Sequence, residues 1–491
     1  MDRSILTDDD LALRPAGAGP SPWMAEALAE EDHARTPAAP LDHDLDVDVA
    51  VVGGGYTGLW TAIGLLERDP ALRVAILEAD ICGGGPSGRN GGFVNSWWDE
   101  IETLVDLFGA ERAVESAEAS AESVHAIGAW CVANGVDAHF RCAGMLTVST
   151  TPHHDARLPG EAAIARRLGR PDALVPLDAE AVRAICRSPR FRGGVLMRDA
   201  ATVHPGRLVR GLRRVTLERG VEIHEGTRVV SVGRIGDRRV GLRARSAAGS
   251  FRVRAGHVVM AVNAWSAGWR AFSRSLLAWS SYMVRTEPIP ERIARDLGWT
   301  DGTSIVDARA SVHYLHATRD GRIALGAGGG RPGLGGRIGP SFTGDLDAAR
   351  RAAFGFRWFF PALADVRLTD AWGGPIDVSP DHLPRFGTLP GGRIHYGFGY
   401  SGNGVGPAHL GGRILAALAL GSDEPLTRLA VVRPVSRAMP PEPFRYVGAR
   451  VLREAMIRRE DREEAGHRAP WWLRQLTAVP RHLGYHLGPG A

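Results

Sequence analysis

Hydrophobic positions along the 491-residue chain repeat with strand or helix periodicity, and the first clear pattern begins near residue 47. The run VDVAVV (47–52) is almost continuously apolar and β-branched, which is typical of a strand buried on both faces. A helical pattern covers 57–68, and a second apolar run, RVAILEA, covers 73–79. Strand, turn, helix and strand in this order predict a βαβ unit with a right-handed crossover.

After residue 79 the nucleotide-binding pattern is interrupted twice by other segments and then resumes. We therefore expect domains that are discontinuous in sequence. The predicted elements are helices over 99–134, a strand at LTVST (146–150), a helix over 206–219, strands at VEIHEGTRVVSV, RVGLRA and HVVMAV, an antiparallel sheet with helices over 280–375, a strand at RIHYGFGY (393–400) and a helix over 407–420. Residues 1–46 are polar and rich in Pro and Ala, which predicts an arm that wraps the surface or lies disordered.

Composition removes several classes of chemistry. All 59 basic residues are arginine, so the chain has no lysine for a Schiff base or a Walker A loop. The net charge of +4 comes from arginines interspersed with acids, which disfavours nucleic-acid binding. Four cysteines without C-x-x-C spacing disfavour a zinc or dithiol centre, and no metal site is predicted. The chain shows neither a signal-peptide pattern nor a long apolar stretch, so the expected location is the cytoplasm.

Four hexapeptides fit the dinucleotide-binding spelling G-x-G-x-x-G, and their contexts separate them. They are GGGYTG (53–58), GGGPSG (83–88), GGGRPG (328–333) and GFGYSG (397–402). A pyrophosphate loop needs a preceding strand, a following helix and an acid about 20 residues later for the ribose. Only the first hexapeptide, with Gly53, Gly55 and Gly58, meets every demand, because a helix pattern begins near Thr57 and Glu78 ends the next strand.

The other three hexapeptides lack part of that context. GGGRPG leads into GLGGRIGPS, which cannot begin a helix, and GGGPSG has no helix at the required spacing. GFGYSG opens a helix, but no acid and no further strand follow it. This last pattern predicts either a helix N-terminus directed at a ligand or a plain helix cap.

Four longer segments stand in order along the chain: DVAVVGGGYTGLWTAIGLLE, ILEADICGGGPSGRNGG, DAWGGPIDVSPDHLPRFG and YGFGYSGNGVGPAHLGGRILA. Together they resemble the D-amino-acid oxidase superfamily of FAD-dependent amine oxidoreductases. Within it they resemble most the glycine oxidase-like and gamma-glutamylputrescine oxidoreductase-like branch. The resemblance covers about residues 20–430.

The resemblance implies an α/β fold of mixed α+β character. A discontinuous Rossmann-like FAD-binding domain would carry a substrate domain whose sheet is mostly antiparallel. The implied divisions are an N-terminal arm at 1–46, FAD-binding segments at 47–98, 190–279 and 373–430, substrate segments at 99–189 and 280–372, and a C-terminal helical arm at 431–491.

The resemblance also implies FAD bound in extended form. The first loop would hold the pyrophosphate, Glu78 the adenosine ribose, the second loop would lie beside the flavin ring, and 402–405 would lie at its pyrimidine end. N–H groups at a helix N-terminus there would stabilise negative charge on the reduced ring. The residues assigned to FAD are Gly53, Gly55, Tyr56, Thr57, Gly58, Glu78, Ser87, Gly88, Arg89, Asn90, Gly91, Gly92, Val229, Gly402, Asn403, Gly404 and Val405.

The chain departs from its relatives at two cofactor positions. Its GGPIDVS segment holds no cysteine for a covalent bond to flavin, so we expect non-covalent FAD. Where relatives place a lysine that promotes reaction with oxygen, the strand RIALG offers Ala324. Oxygen and another electron acceptor are therefore both candidates for reoxidation.

Candidates for the substrate side come first from VHYLHATRDGR, the strand where relatives carry an arginine after a tyrosine. Alternation places Tyr314 and His316 on one face, so both are expected to face the flavin together. His316 is expected either to bind substrate or relay protons, or to be a structural histidine. Arg285 and Arg322 are candidates for a substrate carboxylate, or else structural arginines. Aromatic residues expected either to form a dry wall or to pack in the core are Trp97, Trp98, Tyr282, Tyr314 and Trp372.

The predicted function is FAD-dependent oxidation of the C–N bond of an amine or amino acid, by hydride transfer to flavin N5, giving an imine that hydrolyses. The alternatives are a flavin-containing subunit of a larger dehydrogenase and an NAD(P)H-dependent flavoenzyme. The C-terminal arm combines helix periodicity, arginines and the pair Trp471 and Trp472. This pattern predicts contact with its own protein, with a membrane surface or with a second copy in a homodimer.

Overall fold

The computed structural model describes residues 5–31, 38–236 and 238–486 of the chain. Its helices are α1 (Asp8–Ala12), α2 (Pro22–Ala29), α3 (Tyr56–Arg68), α4 (Ile101–Phe108), α5 (Ala110–Ala133), α6 (Pro152–Arg167), α7 (Ala179–Ile185), α8 (Pro205–Glu218), α9 (Pro290–Arg292), α10 (Leu346–Phe359), α11 (Val405–Leu420), α12 (Phe444–Glu464) and α13 (Trp471–His482). Its strands are β1 (Leu45–Val52), β2 (Val74–Leu77), β3 (Phe93–Asn95), β4 (Met145–Ser149), β5 (Leu174–Leu177), β6 (Gly193–Met197), β7 (Ala200–Thr202), β8 (Glu222–His224), β9 (Arg228–Ile235), β10 (Arg239–Ser246), β11 (Gly249–Met260), β12 (Leu277–Thr286), β13 (Ser304–Asp307), β14 (His313–Ala317), β15 (Ile323–Ala327), β16 (Leu368–Val378), β17 (Arg385–Thr388) and β18 (Ile394–Phe398).

The first sheet carries the predicted βαβ unit at its centre. Its strands run in the order β17-β18-β11-β1-β2-β8, and the hairpin of β9 and β10 attaches to β11. β1 pairs in parallel with β11 and with β2, so that Val52 lies opposite Met260 on one side and Leu77 on the other. The apolar run of β1 is buried, and α3 and α11 pack together against this sheet. The pairing confirms the predicted α/β class.

The second sheet is mostly antiparallel, as the resemblance implied. Its eight strands run in the order β16-β12-β15-β14-β13-β4-β6-β5, and β4 with β13 is a parallel pair among them. Helix α10 packs apolar residues such as Ala352 and Phe356 against β12 and β15. This sheet therefore has its own core and presents its strands toward the glycine loops of the first sheet.

The strand pairing divides the two halves at positions that differ from the expected ones. β6 falls in the segment 190–279 assigned to FAD, but it pairs with β4 and β5 in the second sheet. Helix α5 falls in a substrate segment, but it packs on α11, where Ser123 and His409 lie within 3.0 Å. Local periodicity shows that an element forms but not which sheet it joins, because its partners are distant in sequence.

The described part of the N-terminal segment, residues 5–31 and 38–46, packs into the core, in contrast to the predicted surface or disordered arm. The Ser21 hydroxyl caps α2 and donates to the Gly88 carbonyl. Trp23 is 2% exposed, and its indole N–H donates to the Asn90 carbonyl at 3.1 Å. The Pro-rich and Ala-rich composition concealed two helices whose contacts lie far along the chain.

The C-terminal arm folds back onto its own protein as α12 and α13. Arg445 near the start of α12 donates to the Leu276 carbonyl at 3.1 Å, and the His486 N–H beyond α13 donates to the Pro380 carbonyl at 2.9 Å. Among the described residues, none of the helices combines the length and the apolarity that crossing a membrane requires. Parts of both predicted arms, residues 1–4, 32–37 and 487–491, lie outside the described residues.

Candidate active site

The first glycine loop joins β1 to α3 in a turn that side chains would block. Gly53 has φ +108°, and a Cβ added to it would lie 2.4 Å from the Ala261 carbonyl oxygen. A Cβ at Gly58 would lie 1.9 Å from the Gly53 carbonyl oxygen. Gly55 is the N-cap of α3, and glycine has no side chain that could cap the first-turn N–H groups. The loop therefore brings bare backbone and a helix N-terminus together, which is the geometry that binds phosphate.

Glu78 follows β2 and lies beside this loop. Its Oε2 accepts a hydrogen bond from the Gly54 N–H at 2.6 Å, and burial raises the pKa of its carboxyl. The Thr227 N–H donates to the Glu78 carbonyl at 2.7 Å, which brings the start of β9 close to the same strand end. Val229 on β9 directs its side chain into the core of the first sheet, so a contact of Val229 with a cofactor would use its backbone.

The second glycine loop, residues 83–92, lies against the first loop and reaches the second sheet. The Ser87 Oγ accepts a hydrogen bond from the Tyr56 N–H in the first turn of α3 at 2.9 Å. A Cβ at Gly91 would lie 2.7 Å from the Tyr314 ring, and Gly92 has φ +77°. Bare backbone thus connects the first loop to the strand that carries Tyr314.

Arg89 and Asn90 direct most of their polar groups at the protein's own backbone. Arg89 Nε donates to the Gly84 carbonyl at 3.0 Å and its Nη1 to the Gly373 carbonyl at 3.1 Å. Burial lowers the pKa of Arg89. Asn90 Oδ1 accepts from the Gly92 N–H at 2.8 Å. These bonds hold the shape of the loop, which presents backbone more than free side-chain donors.

The fourth glycine loop, residues 397–405, also contacts the first loop. The hydroxyl oxygens of Tyr400 and Thr57 lie 2.6 Å apart, within hydrogen-bond distance. Gly402 has φ +93°, and Gly404 is the N-cap of α11, which begins at Val405. A second helix N-terminus without a side-chain cap therefore points into the same region.

A cavity of about 720 Å³ lies between the second and fourth loops, the second sheet and the C-terminal arm. Its loop side is lined by Arg89, Asn90, Gly91, Gly402, Asn403 and Val405. Its sheet side is lined by Met145, Thr147, Val195, Met197, Val306 and Tyr314. The first loop and Glu78 lie outside this lining, so the cavity covers the predicted flavin-ring end of the cofactor path.

Tyr314, on β14, lines the cavity. Its hydroxyl lies 2.9 Å from the Ser281 Oγ, and its ring packs edge-on against Phe93 with 5.7 Å between ring centroids. Burial raises the pKa of Tyr314 to about 12, so the phenol stays protonated at neutral pH. A protonated phenol offers a hydrogen-bond donor in an otherwise apolar wall.

His316 shares the face of Tyr314 but lies deeper, outside the cavity lining. Its ring contacts Phe93 at 5.9 Å and Trp23 of α2 at 6.4 Å between centroids. Burial lowers the pKa of His316 to about 4, so the imidazole is neutral at neutral pH. The geometry therefore favours a packing role over proton relay.

Arg285 is engaged by the protein's own carboxylates. Its guanidinium lies 2.6 Å from Glu26 Oε1 and 3.0 Å from Asp370 Oδ2. It also stacks over Trp23, with 4.8 Å between the guanidinium carbon and the ring centroid. Arg322 similarly lies 2.8 Å from its neighbour Asp320. These contacts give no support to a substrate carboxylate held by either arginine.

Trp372 and most other aromatic candidates are packed in the core. The Trp372 indole N–H donates to the Arg89 carbonyl at 2.9 Å, so the ring supports the second loop from below. Each of the residues Trp97, Trp98 and Tyr282 is at most 2% exposed and lies outside the cavity lining. The aromatic side chains that line the cavity are instead Phe93, Trp279, Tyr314, Phe444 and Tyr485.

Polar groups from 95–99, just after the second loop, and from α6 line the same cavity and were not predicted. Asp99 Oδ2 accepts from Asn403 Nδ2 at 3.0 Å, and Asn95 and Glu161 also reach the cavity. Burial, with the Glu100 charge nearby, raises the pKa of Asp99, and burial raises the pKa of Glu161 to about 7. The available signal was NSWWDE, a polar and aromatic stretch that follows the second loop by a few residues.

The three interlocked loops fit an extended dinucleotide. The first loop and the N-terminus of α3 suit a pyrophosphate, and the Glu78 carboxylate at the end of β2 suits ribose hydroxyls. The pairs Ser87 with Tyr56 and Thr57 with Tyr400 hold the second and fourth loops against the first. One cofactor that runs from the first loop to the cavity would touch all three.

Comparison with known proteins agrees with this geometry. The family model described as DAO, FAD dependent oxidoreductase, matches residues 48–418. The chain is 29% identical over 387 residues to gamma-glutamylputrescine oxidoreductase of Escherichia coli, which covers 78% of this chain and 86% of that protein. It is 27% identical over 395 residues to glycine oxidase of Pseudomonas aeruginosa, which covers 79% of this chain and 99% of that protein.

A solved structure shows the same fold. L-proline dehydrogenase from P. horikoshii superposes with a TM-score of 0.63 at 20% identity, over 78% of this chain and 96% of that chain. The family match spans both sheets and all three interlocked loops, and it confirms the resemblance drawn from the four motif segments. The chain belongs to the DAO family of FAD-dependent oxidoreductases.

Proposed function

We propose that this enzyme oxidises the C–N bond of an amine or amino acid. The observation that carries the proposal is the cavity, because the two loops assigned to the flavin ring and the Tyr314 strand border the same space. Two relatives, gamma-glutamylputrescine oxidoreductase and glycine oxidase, are named for compounds with amino groups. The same kind of substrate would suit this cavity.

FAD would be held non-covalently by the first loop, Glu78, and the second and fourth loops. When bound, it supplies the redox chemistry by accepting at N5 a hydride from the carbon beside the amine nitrogen, which leaves an imine for water to hydrolyse. The N-terminus of α11 directs N–H groups and a positive dipole at the end assigned to the pyrimidine ring, where they would stabilise negative charge.

The cavity walls would bind and desolvate the amine. Phe93, Trp279 and Tyr314 line the cavity and would exclude water around a bound amine, and desolvation lowers the pKa of an amine toward the neutral form that the reaction needs. The Tyr314 hydroxyl would donate a hydrogen bond that fixes the orientation of the substrate. A strong catalytic base is not required, which agrees with a neutral and buried His316.

The arginines of the cavity favour an amine over an α-amino acid. Arg89 donates to backbone carbonyls such as that of Gly84, Arg445 pairs with Glu442 at 2.7 Å, and Arg453 donates to the Gly329 carbonyl at 2.8 Å. All three arginines line the cavity, and all three have partners within the protein. A substrate carboxylate would have to displace one of these partners.

The electron acceptor is either oxygen or another molecule. Ala324, at the position of the oxygen-activating lysine of relatives, is buried with Trp23, Met283 and Trp372. Ala324 itself supplies no positive charge for oxygen reduction, and Arg285, its cross-strand partner on β12, is already paired with Glu26 and Asp370. We therefore expect another acceptor to reoxidise the enzyme faster than oxygen.

An anaerobic screen tests the proposal. The purified chain should be yellow, and some members of a panel of amines, amino acids and aminophosphonates should bleach the visible flavin band without oxygen. Reoxidation rates with oxygen and with an artificial acceptor would then identify an oxidase or a dehydrogenase. A colourless protein would contradict the proposal. Bleaching by NADPH alone would favour an NAD(P)H-dependent flavoenzyme, and a flavin that nothing reduces would favour a subunit of a larger dehydrogenase.

Contact of the C-terminal arm with a membrane surface or a second copy stays a prediction. Three of its apolar side chains are exposed and lie outside the cavity lining: Val447, Trp471 and Trp472. Sedimentation of the purified chain with anionic lipid vesicles tests the first contact, and its mass in solution tests the second.

A further inference from the structure

We propose that the C-terminal arm completes the substrate site and selects amines that carry an extended apolar substituent. This inference rests on the proposed function of the cavity and names the substrate class within it. The family match ends at residue 418, so the arm lies beyond the part of the chain that the family shares.

Apolar side chains of α12 and α13 form one wall of the cavity. Leu452, Met456, Ile457 and Leu476 are the partly buried members of this wall, and Val451 and Val479 also line the cavity but are exposed. The loop end of the cavity presents polar groups instead, among them Asn95 and Asp99. A ligand that matches both ends has its amine beside the loops and a hydrocarbon group beneath the arm.

The third glycine loop, 328–333, anchors the middle of α12 above the cavity. Arg453 Nε donates to the Gly329 carbonyl at 2.8 Å and to the Gly330 carbonyl at 2.5 Å. A Cβ on Gly330 would lie 1.8 Å from the Ser280 carbonyl oxygen, so the loop backbone lies directly on β12. A hexapeptide with the dinucleotide spelling therefore serves to position the arm.

A buried ionic cluster fixes the C-terminal half of α12. Arg309 is 7% exposed and lies 2.6 Å from Glu464 Oε1 and 3.3 Å from Glu460 Oε2. The Ser311 N–H donates to Glu460 Oε1 at 3.0 Å. Charges buried to this extent need a fixed geometry, because each has lost its hydration. The arm is thus held as a firm wall over the cavity, which a size-selective site requires.

Straight-chain primary amines of four, six and eight carbons test the inference in the FAD-loaded full chain. The dissociation constant for anaerobic flavin reduction should fall as the chain lengthens, by about fourfold for each methylene that the wall buries. Met456→Gln keeps the volume of a wall side chain but makes it polar. This variant should weaken octylamine about tenfold and butylamine less than about twofold, with the limiting reduction rate unchanged.

Val447→Gln is the matched control, because Val447 lies on the same helix, is exposed and is outside the cavity lining. It should leave the whole amine series unchanged, and both variants should keep the FAD content of the wild type. Amines that reduce the flavin with no dependence on chain length, or an equal response of both variants, would overturn the inference while the proposed function stands. A flavin that no amine reduces would overturn both.

Discussion

The phosphate end and the substrate end of the proposed cofactor path are built in opposite ways. At the phosphate end, β1, the first glycine loop, α3 and Glu78 come from one continuous stretch of the chain. At the substrate end, the cavity wall combines β4, β6, β12 to β14, the second and fourth loops, and the C-terminal arm. The phosphate end is therefore formed by residues that are close in sequence, whereas the substrate end is formed by segments that meet only in the folded protein.

The largest expected effect is the loss of FAD from Gly58→Ala. The added Cβ would lie 1.9 Å from the Gly53 carbonyl oxygen, which forces the first loop open. We expect FAD affinity to fall by more than about hundredfold, measured from the flavin content of the purified protein and by titration with FAD. Gly160→Ala is the control, because a Cβ at Gly160 on α6 meets open space. A yellow Gly58→Ala protein would show that the first loop is not the pyrophosphate site.

The next effect lies at the substrate end and concerns pH. Burial lowers the pKa of His316 from 6.5 to about 4. Between pH 6.5 and pH 4, His316 is therefore protonated in the unfolded chain but neutral in the folded chain. Stability from this group is complete above pH 6.5 and is lost as the pH falls toward 4. His316→Phe should therefore reduce the loss of unfolding free energy between pH 7.5 and pH 5 by about 2 kcal/mol in urea titrations. An unchanged loss would place His316 in a solvated site open to substrate.

A smaller effect is expected from Glu78→Gln. Glutamine keeps an acceptor for the Gly54 N–H but loses the charge that strengthens hydrogen bonds from ribose hydroxyls. FAD should bind about tenfold more weakly, measured by fluorescence titration of the apoprotein, with no change in the amine dependence of flavin reduction. Equal affinity in the variant and the wild type would remove Glu78 from the ribose site.

The smallest effect on activity is expected from Arg285→Lys. Lysine keeps the positive charge between Glu26 and Asp370 but loses the forked hydrogen bonds, so the thermal midpoint should fall by a few degrees. The KM of a reactive amine or amino acid should change by less than about twofold, because Arg285 lies outside the cavity lining. A tenfold rise in KM for substrates with a carboxylate, but not for other amines, would show that Arg285 binds the substrate carboxylate.

The contrast between the two ends also explains what could be predicted from the sequence. The requirements of a phosphate loop are local, so strand, glycines, helix and acid could be recognised together between 47 and 79. Alternation correctly placed Tyr314 and His316 on one side of β14, since both rings contact Phe93. Alternation could not show that Tyr314 lines the cavity while His316 does not. His316 is covered by Trp23, which comes from the distant N-terminal segment.

The roles of Arg285, Trp372 and the arm could not be predicted for the same reason. Arg285 pairs with Glu26 from a segment that composition alone assigned to a surface arm. The arm reaches the cavity through the third glycine loop and Arg309, contacts that no periodic pattern encodes. The helices, the strands and the phosphate end follow from local patterns, whereas the assignment of strands to the two sheets and the substrate end follow from pairings between distant segments.

Amine oxidation by this chain is tested most directly by anaerobic titration of the purified FAD-loaded protein with a reactive amine. We expect one equivalent of amine to bleach the visible band of one flavin and to release one equivalent of carbonyl product and of ammonia or amine. A flavin that NADPH reduces and amines do not, or bleaching without a carbonyl product, would contradict amine oxidation.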